Sequence, residues 1–373
     1  RLWLSWHKDT IQSMSNSNVA TSRRASVLGL GLIGGSICVA LRERGWIVSG
    51  EDHNPDRVNE ALKRGIISNS GIDANSEVTF VAVPVTAVTD QVQRALRETK
   101  GIVTDVGSVK AGVAREISDP RFVGGHPMAG SELEGLDGAD PELFVGAVWV
   151  LTPTTSTSDT AFATVAAIVS DLGAEVIGLE PERHDELVAV VSHVPHLTAA
   201  TLMGVANSRA TEHAALLRLA AGGFRDMTRI ASGHPAIWLD ICAENRTAIV
   251  NTLSSLIDGL TAMRSAVETG DRTELLRRLT LAREARANLP SRMKALEELS
   301  EVRIPIPDRA GAAAEVFTLA AELGVNIPNF EVVHSVEGDR GIAVVLVETS
   351  VVELFRGGLM ARGFRPAVQR LAE

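Results

Sequence analysis

The segment His126-Pro127-Met128-Ala129-Gly130-Ser131-Glu132 sets a histidine among small residues, directly after the apolar run Phe122-Val123-Gly124-Gly125. That run reads as a strand end. In the same half of the chain, Gly29-Leu30-Gly31-Leu32-Ile33-Gly34-Gly35-Ser36 carries the pattern G-x-G-x-x-G between an apolar run and an apolar helix. An imidazole at the carboxyl edge of a dinucleotide-binding sheet is placed to accept a proton as hydride leaves the same carbon.

In the glycine turn, Gly29 permits the tight bend and Gly31 lets backbone approach a pyrophosphate. Gly34 allows close helix–strand packing, with Leu32 and Ile33 opening the helix whose amino end faces the anion. Asp52 follows Gly29 by 23 residues, at the end of the second expected strand. A carboxylate there accepts ribose hydroxyls and repels a 2′-phosphate, which favours NAD over NADP. Glu51 ranks second, because strand alternation turns it away, and His53 reads as a solvated loop residue. Val83-Pro84 ends a further strand and is expected to line the nicotinamide-ribose side.

Other segments could converge on the same place: Asp105-Val106-Gly107-Ser108-Val109-Lys110, Ser192-His193-Val194-Pro195-His196, and Gly222-Gly223-Phe224-Arg225-Asp226-Met227-Thr228-Arg229. Plainer roles exist for each. Ser108 is expected to cap the helix that begins there, and Arg229 could pair with Asp226 on a helix surface. His193 and His196 are three apart, but no third and fourth ligands have matching spacing, so no metal is expected. His184, His213 and His234 show no signal beyond ordinary polar positions.

The elements that must hold these residues follow from periodicity. Short β-branched runs alternate with amphipathic stretches between about residues 25 and 180, predicting an α/β domain with a mostly parallel, doubly wound Rossmann-type sheet. Expected strands are 26–30, 46–51, 78–83, 102–105, 122–125, 147–151 and 175–179. From 181 to 298 the spacing is helical, as in Ile249, Leu253, Leu256, Ile257 and Leu260. Several of these segments are apolar on more than one face, predicting a homodimer through them. From 299 to 373 the alternation returns as βαββαβ, a small ferredoxin-like module. Residues 1–24 read as an extension, with Met14 as the expected native start.

The chain has 373 residues, a formal net charge of -10 and 45% hydrophobic residues. The acidic balance argues against a nucleic-acid partner or an anionic membrane. No apolar run is expected to reach the ~20 residues of a membrane helix. Cys38 and Cys242 are the only cysteines, which fits a reducing cytoplasm.

Taken as a set and in order, Gly-Leu-Gly-Leu-Ile-Gly-Gly-Ser, Asp-Val-Gly-Ser-Val-Lys, His-Pro-Met-Ala-Gly-Ser-Glu, Ser-His-Val-Pro-His and Gly-Gly-Phe-Arg-Asp-Met-Thr-Arg resemble the prephenate dehydrogenase family, over roughly Ser26 to Leu296. The tail from Val302 resembles an ACT domain through Pro307-Asp308-Arg309-Ala310-Gly311 and its strand order. The resemblance implies NAD-dependent oxidative decarboxylation of prephenate to 4-hydroxyphenylpyruvate, in tyrosine biosynthesis. Arogenate, the amino analogue, is the alternative substrate, and a non-catalytic amino-acid sensor is a third possibility. It implies His126 as general base and Ser108 as its partner on the substrate hydroxyl. It implies Arg229 and His196 as substrate-binding residues, with Ser131, Glu132, Asp226 and Trp238 around the pocket. The ACT-like module implies an amino-acid effector, tyrosine, with Asp308, Gly311 and Asn326 as candidate contacts.

Overall fold

A computed structural model describes residues 23–130, 133, 135–210, 216–288, 299–307, 309, 311–334 and 340–370. Its contacts divide the chain into two units, Arg1–Glu268 and Thr269–Glu373.

The N-terminal unit opens with β1 (Arg24–Leu28), α1 (Leu32–Glu43), β2 (Ile47–Glu51), α2 (Pro55–Lys63), β3 (Asn69–Ser70) and β4 (Val78–Val81). It continues with α3 (Val88–Glu98), β5 (Ile102–Asp105), α4 (Ala111–Glu116), β6 (Phe122–Pro127), β7 (Val148–Thr152), α5 (Asp159–Asp171) and β8 (Glu175–Gly178). The eight strands form one sheet in the order β3-β2-β1-β4-β5-β6-β7-β8. Only β6 and β7 run antiparallel. The strands are apolar on both faces, as helices on both sides of a parallel sheet require. Val27 and Phe80 join Ile37, Leu41, Val165 and Ile168 in one core. Their neighbours Leu28 and Val81 join Val88, Val92, Val113 and Ile117 in another.

The order reverses between β1 and β4, so a crevice opens at their carboxyl ends. Gly29 and Val83-Pro84 flank it. A Cβ on Gly29, at φ +93°, would lie 2.2 Å from the Ala82 carbonyl oxygen, and one on Gly34 would lie 1.9 Å from that of Gly29. Only glycine allows this turn to close. At Gly31 a Cβ would meet nothing within 4 Å.

Helices follow: α6 (Pro181–Val188), a π turn (Ala189–His193), α7 (Val194–Ala210), α8 (Gly222–Thr228), α9 (Pro235–Glu244) and α10 (Arg246–Glu268). The continuous helix Pro181–Arg209 has 29 residues and holds an 18-residue window of mean hydropathy 1.4, enough by length and composition alone to cross a membrane, although it contains no unbroken apolar run of the expected ~20 residues. Its buried residues include His184, Asp185, His193 and His196, which ties its inward face to polar chemistry.

The second unit contains α11 (Arg272–Ala287), β9 (Leu299–Pro307), α12 (Ala312–Glu322), β10 (Asn329–His334), β11 (Arg340–Glu348), α13 (Val352–Ala361) and β12 (Ala367–Arg370). The last six form the expected βαββαβ, with an antiparallel sheet in the order β10-β11-β9-β12. Alternation on β9 buries Val302, Ile304 and Ile306, which pack with Val316 and Leu319 of α12 and Phe355 and Leu359 of α13.

Candidate active site

Two chambers meet at the crevice. The first, about 620 Å³, is lined by Gly29, Gly31, Asp52, Arg57, Val83 and Gln91, among others. The second, about 550 Å³, shares Gly31, Val83, Pro84 and Ile237 with the first and adds Leu32, Ile33, Gly34, Ser108, His126 and His234. This elongated space fits a dinucleotide. The open face of Gly31 leaves room for a pyrophosphate. The α1 amino end has no side-chain cap and no acidic residue in its first turn, so its N–H groups can receive an anion.

Asp52 sits at the far end, with its side chain 3% exposed. One carboxylate oxygen accepts from the Leu30 N–H at 2.8 Å and the other from the Asn54 N–H at 2.9 Å. Asp52 therefore also stitches the glycine turn to the end of β2. Glu51 is engaged elsewhere. Its carboxylate accepts from Arg94 at 2.6 and 2.9 Å, and this pairing holds the carboxyl below its ordinary range. The His53 side chain is 86% exposed, as expected of a loop residue.

His126 belongs to β6 itself, opposite Val150 of β7, rather than to the loop after a strand ending at Gly125. Gly124 and Gly125 let the strand pack closely. A Cβ on Gly125 would lie 2.7 Å from the Asp105 carbonyl oxygen and 3.1 Å from the Trp149 indole nitrogen. The imidazole is buried. Burial, then the neighbouring His184, Lys110 and His193, push its pKa well below the usual histidine value. His126 is therefore neutral at physiological pH, and more strongly so than an acid–base group poised near neutrality.

A polar seam lies behind it. His126 Nδ1 is 2.8 Å from His184 Nε2, and His184 Nδ1 is 2.8 Å from Asp185 Oδ1. This corrects the expectation that His184 is an ordinary polar position; it is fully buried against His126. Ser108 does not cap α4, whose N-cap residue is Lys110 and has no side-chain cap bond. The Lys110 and Ala111 N–H groups instead donate to Oδ1 and Oδ2 of Asp185, each at 2.8 Å. The cap therefore comes from α6, 74 residues downstream of Ala111. Asp105 receives the Gly107 N–H at 2.9 Å, the Gly125 N–H at 3.2 Å and the ammonium of fully buried Lys110. The loop carrying Ser108 is thus fastened to the strand carrying His126.

His193 lies in the π turn. Burial lowers its pKa to about 4, and its Nδ1 is 3.2 Å from the Asn245 side-chain amide. His196 stacks on Trp238, with ring centroids 3.6 Å apart and planes 13° from parallel, so these two predicted residues do meet. Arg229 begins a short 3-10 turn, Arg229–Ser232, and is exposed. It does not line the His126 chamber. Asp226 lines a separate cavity of about 800 Å³ with Val194, Leu202, Met227, Ile230 and Leu256. Asp240 and His234 of the His126 chamber carried no sequence signal as site residues. Ser131, Glu132 and Asp308 lie outside the described residues. Gly311 sits at φ +88° as the N-cap of α12, and Asn326 is exposed.

Two family models match the chain: "Prephenate dehydrogenase, nucleotide-binding domain" over residues 37–178 and "Prephenate dehydrogenase, dimerization domain" over 180–281. A prephenate dehydrogenase of Bacillus subtilis is 34% identical over 331 residues, covering 84% of this chain and 89% of that protein. A solved Aquifex aeolicus prephenate dehydrogenase, in complex with hydroxyphenyl propionate and NAD+, is 28% identical with a TM-score of 0.68, covering 72% of this chain and 99% of that one. A Synechocystis arogenate dehydrogenase structure is 29% identical with a TM-score of 0.62, covering 70% and 98%. With this sequence similarity and this Rossmann-type architecture, the chain belongs to the prephenate dehydrogenase family.

Proposed function

We propose that this protein oxidises prephenate with NAD, releasing carbon dioxide and 4-hydroxyphenylpyruvate, with His126 as general base. The observation that carries it is a buried neutral imidazole lining the same chamber as the open end of the glycine turn. Gly29, Gly31, Leu32, Ile33, Gly34, Asp52, Val83 and Pro84 would hold NAD, which when bound serves as hydride acceptor. His126 takes the proton of the ring hydroxyl at its nitrogen not engaged by His184. The carbonyl forming on that carbon makes the ring carboxylate a leaving group, and aromatisation drives the loss of carbon dioxide. Ser108, on the same chamber wall, holds the hydroxyl.

In this reading Arg229 binds a substrate carboxylate through a charge-assisted pair, with His196, Trp238 and Asp226 as further substrate-binding residues; the Ser131 and Glu132 assignments rest on the family resemblance alone. The helical surface supports a homodimer: Val191, Leu239 and Ile257 are 66%, 74% and 58% exposed, and apolar surface of this extent fits a second copy. The C-terminal module is read as ACT-like, with Gly311 and Asn326 near a site for tyrosine. An L-tyrosine titration of initial rates tests that assignment.

Assays of NADH formation with prephenate and arogenate, each with NAD and NADP, test the activity. Turnover of prephenate with NAD is expected. Turnover of arogenate alone would transfer the assignment to the amino analogue, and no reduction with either would overturn it. His126→Gln is expected to lower kcat by ~10²–10⁴ with NAD affinity retained; an unchanged kcat removes His126 from the base role.

A further inference from the structure

We propose that His184 and Asp185 are positioning residues that fix which nitrogen of His126 carries its proton, so that the nitrogen facing the substrate is always the unprotonated one. The proposal rests on His126 as base and adds what makes it one.

Consecutive donors and acceptors give the direction. Asp185 already accepts two backbone N–H groups, from Lys110 and Ala111. Backbone N–H groups can only donate, so they hold this carboxylate as an ionised acceptor. Its Oδ1 therefore accepts from His184 Nδ1. Neutral His184 then has a lone pair at Nε2, which accepts from His126 Nδ1. With Nδ1 protonated, Nε2 of His126 is left as the acceptor. Lys110, Asp105, His193 and Asn245 surround the relay. Among them, the Asn245 amide donates to the Asp185 backbone carbonyl at 2.8 Å, which fixes that residue from the other side.

The same carboxylate does a second job. By holding the first N–H groups of α4, it anchors the loop that carries Ser108. One side chain thus sets both the proton on His126 and the position of its hydroxyl partner. When His126 takes a proton at Nε2, the new positive charge is shared through Nδ1–H···Nε2 of His184 toward the ionised Asp185. The proton taken at Nε2 leaves to solvent after product release, which restores the base.

The test uses the full-length protein labelled with ¹⁵N at histidine. The side-chain shifts of resting enzyme are expected to show His126 as the Nδ1–H tautomer. Asp185→Asn leaves one of the two backbone N–H groups without its acceptor whichever way its amide lies; with the amide nitrogen toward His184 both rings reverse and His126 becomes the Nε2–H tautomer, and the same histidine shifts read which orientation is taken. The variant's kcat is expected to fall by ~10²–10⁴, as when a tautomer-holding carboxylate is replaced in a hydrolase triad, with KM for substrate within about threefold. If that variant does not fold, His184→Leu and His184→Gln decide: leucine abolishes the acceptor and loses activity, whereas the glutamine carbonyl accepts from Nδ1–H and retains more of it. Finding His126 as Nε2–H, or His184 as an imidazolium, in the wild type overturns the proposal. So does wild-type kcat in both Asp185→Asn and His184→Leu. If His126→Gln is itself fully active, the base assignment has failed; if it is inactive while those two variants are normal, only the relay has.

Discussion

The interior that packs α1 and α5 against the sheet is built from apolar side chains with a few buried hydroxyls such as Ser36 and Ser49 and, among the described residues, no buried charge, whereas the seam where α4 and β6 meet α6 consists of buried charges and imidazoles. In the first, Phe80, Trp149, Leu151, Ile37 and Leu172 are excluded from water, each contributing about 1.5–3 kcal/mol or more through burial. In the second, Asp105, Lys110, His184, Asp185, His193 and Asn245 are buried within hydrogen-bond reach of one another or of backbone. Burying an ion pair such as Asp105–Lys110 yields little net stability, because desolvation offsets the attraction. The seam is therefore not the part that keeps the protein folded; its residues hold His126 and Ser108 in register.

Breaking that seam at one partner should have the largest effect. Lys110→Met leaves Asp105 buried with two backbone donors but no cation, and is expected to cost about 3–5 kcal/mol. A urea midpoint shift corresponding to less than about 1 kcal/mol would show that the pair is not a coupled unit. The double substitution Asp105→Asn/Lys110→Met should recover part of the loss. Lys110 also helps lower the pKa of His126, so the acid limb of kcat/KM should move to higher pH in any folded Lys110→Met enzyme.

The contrast extends to the second unit, where Ser300 is the only buried polar side chain among the described residues. Trp46, Trp149 and Trp238 lie in the N-terminal unit and no tryptophan follows Trp238, so the fluorescence of these three reports that unit and not the second. His126 and His193 have folded pKa values below the unfolded value near 6.5. Between that value and about 4, the folded pKa of His193, the unfolded chain binds more protons than the folded one. Stability is then complete above about pH 6.5 and falls as pH drops, by about 1.4 kcal/mol per pH unit for each group. Fluorescence-monitored urea midpoints at pH 7, 6 and 5 should show this decline, and His193→Asn should reduce its slope. The C-terminal transition, followed by far-ultraviolet circular dichroism, should stay level over the same range. Equal slopes in both units would refute the contrast.

The apolar interiors are legible in the sequence because alternation and helical spacing repeat within each element. β5 coincides with the expected strand, and the other main strands differ by a few residues at their ends. β3, two residues long, has no period to detect. The seam is illegible for the opposite reason. Its bonds join Lys110 to Asp185 and His126 to His184 across 75 and 58 positions, and nothing local marks His184 as different from any other polar helix residue. An acid directly after a histidine is a common dipeptide. What could have flagged it is the polar run Glu182-Arg183-His184-Asp185-Glu186 opening a long helix, of which His184 and Asp185 are buried in the fold. Ser108 misled in a related way: it precedes a helix as a cap should, but the cap comes from another element.

At the cofactor end the comparison becomes one between two carboxylates on consecutive residues. Glu51 is neutralised by Arg94, whereas Asp52 accepts two backbone N–H groups, with His53 Nδ1 3.1 Å away and Arg57 farther off at 3.7 Å. On the proposed reading Asp52 is the acid that meets the cofactor ribose, and its removal should matter most for a cofactor bearing a 2′-phosphate. Asp52→Ser exposes that position to Arg57 and is expected to lower the ratio of kcat/KM for NAD over NADP by about 10- to 100-fold, or roughly 1.4–2.8 kcal/mol. Because Asp52 also ties down Leu30, part of the NAD efficiency should be lost as well. Asp52→Asn separates the two effects: its amide keeps one oxygen for a backbone donor while removing the charge. If both variants leave the ratio unchanged, discrimination comes from elsewhere in the chamber, and Glu51→Gln becomes the substitution that must change it.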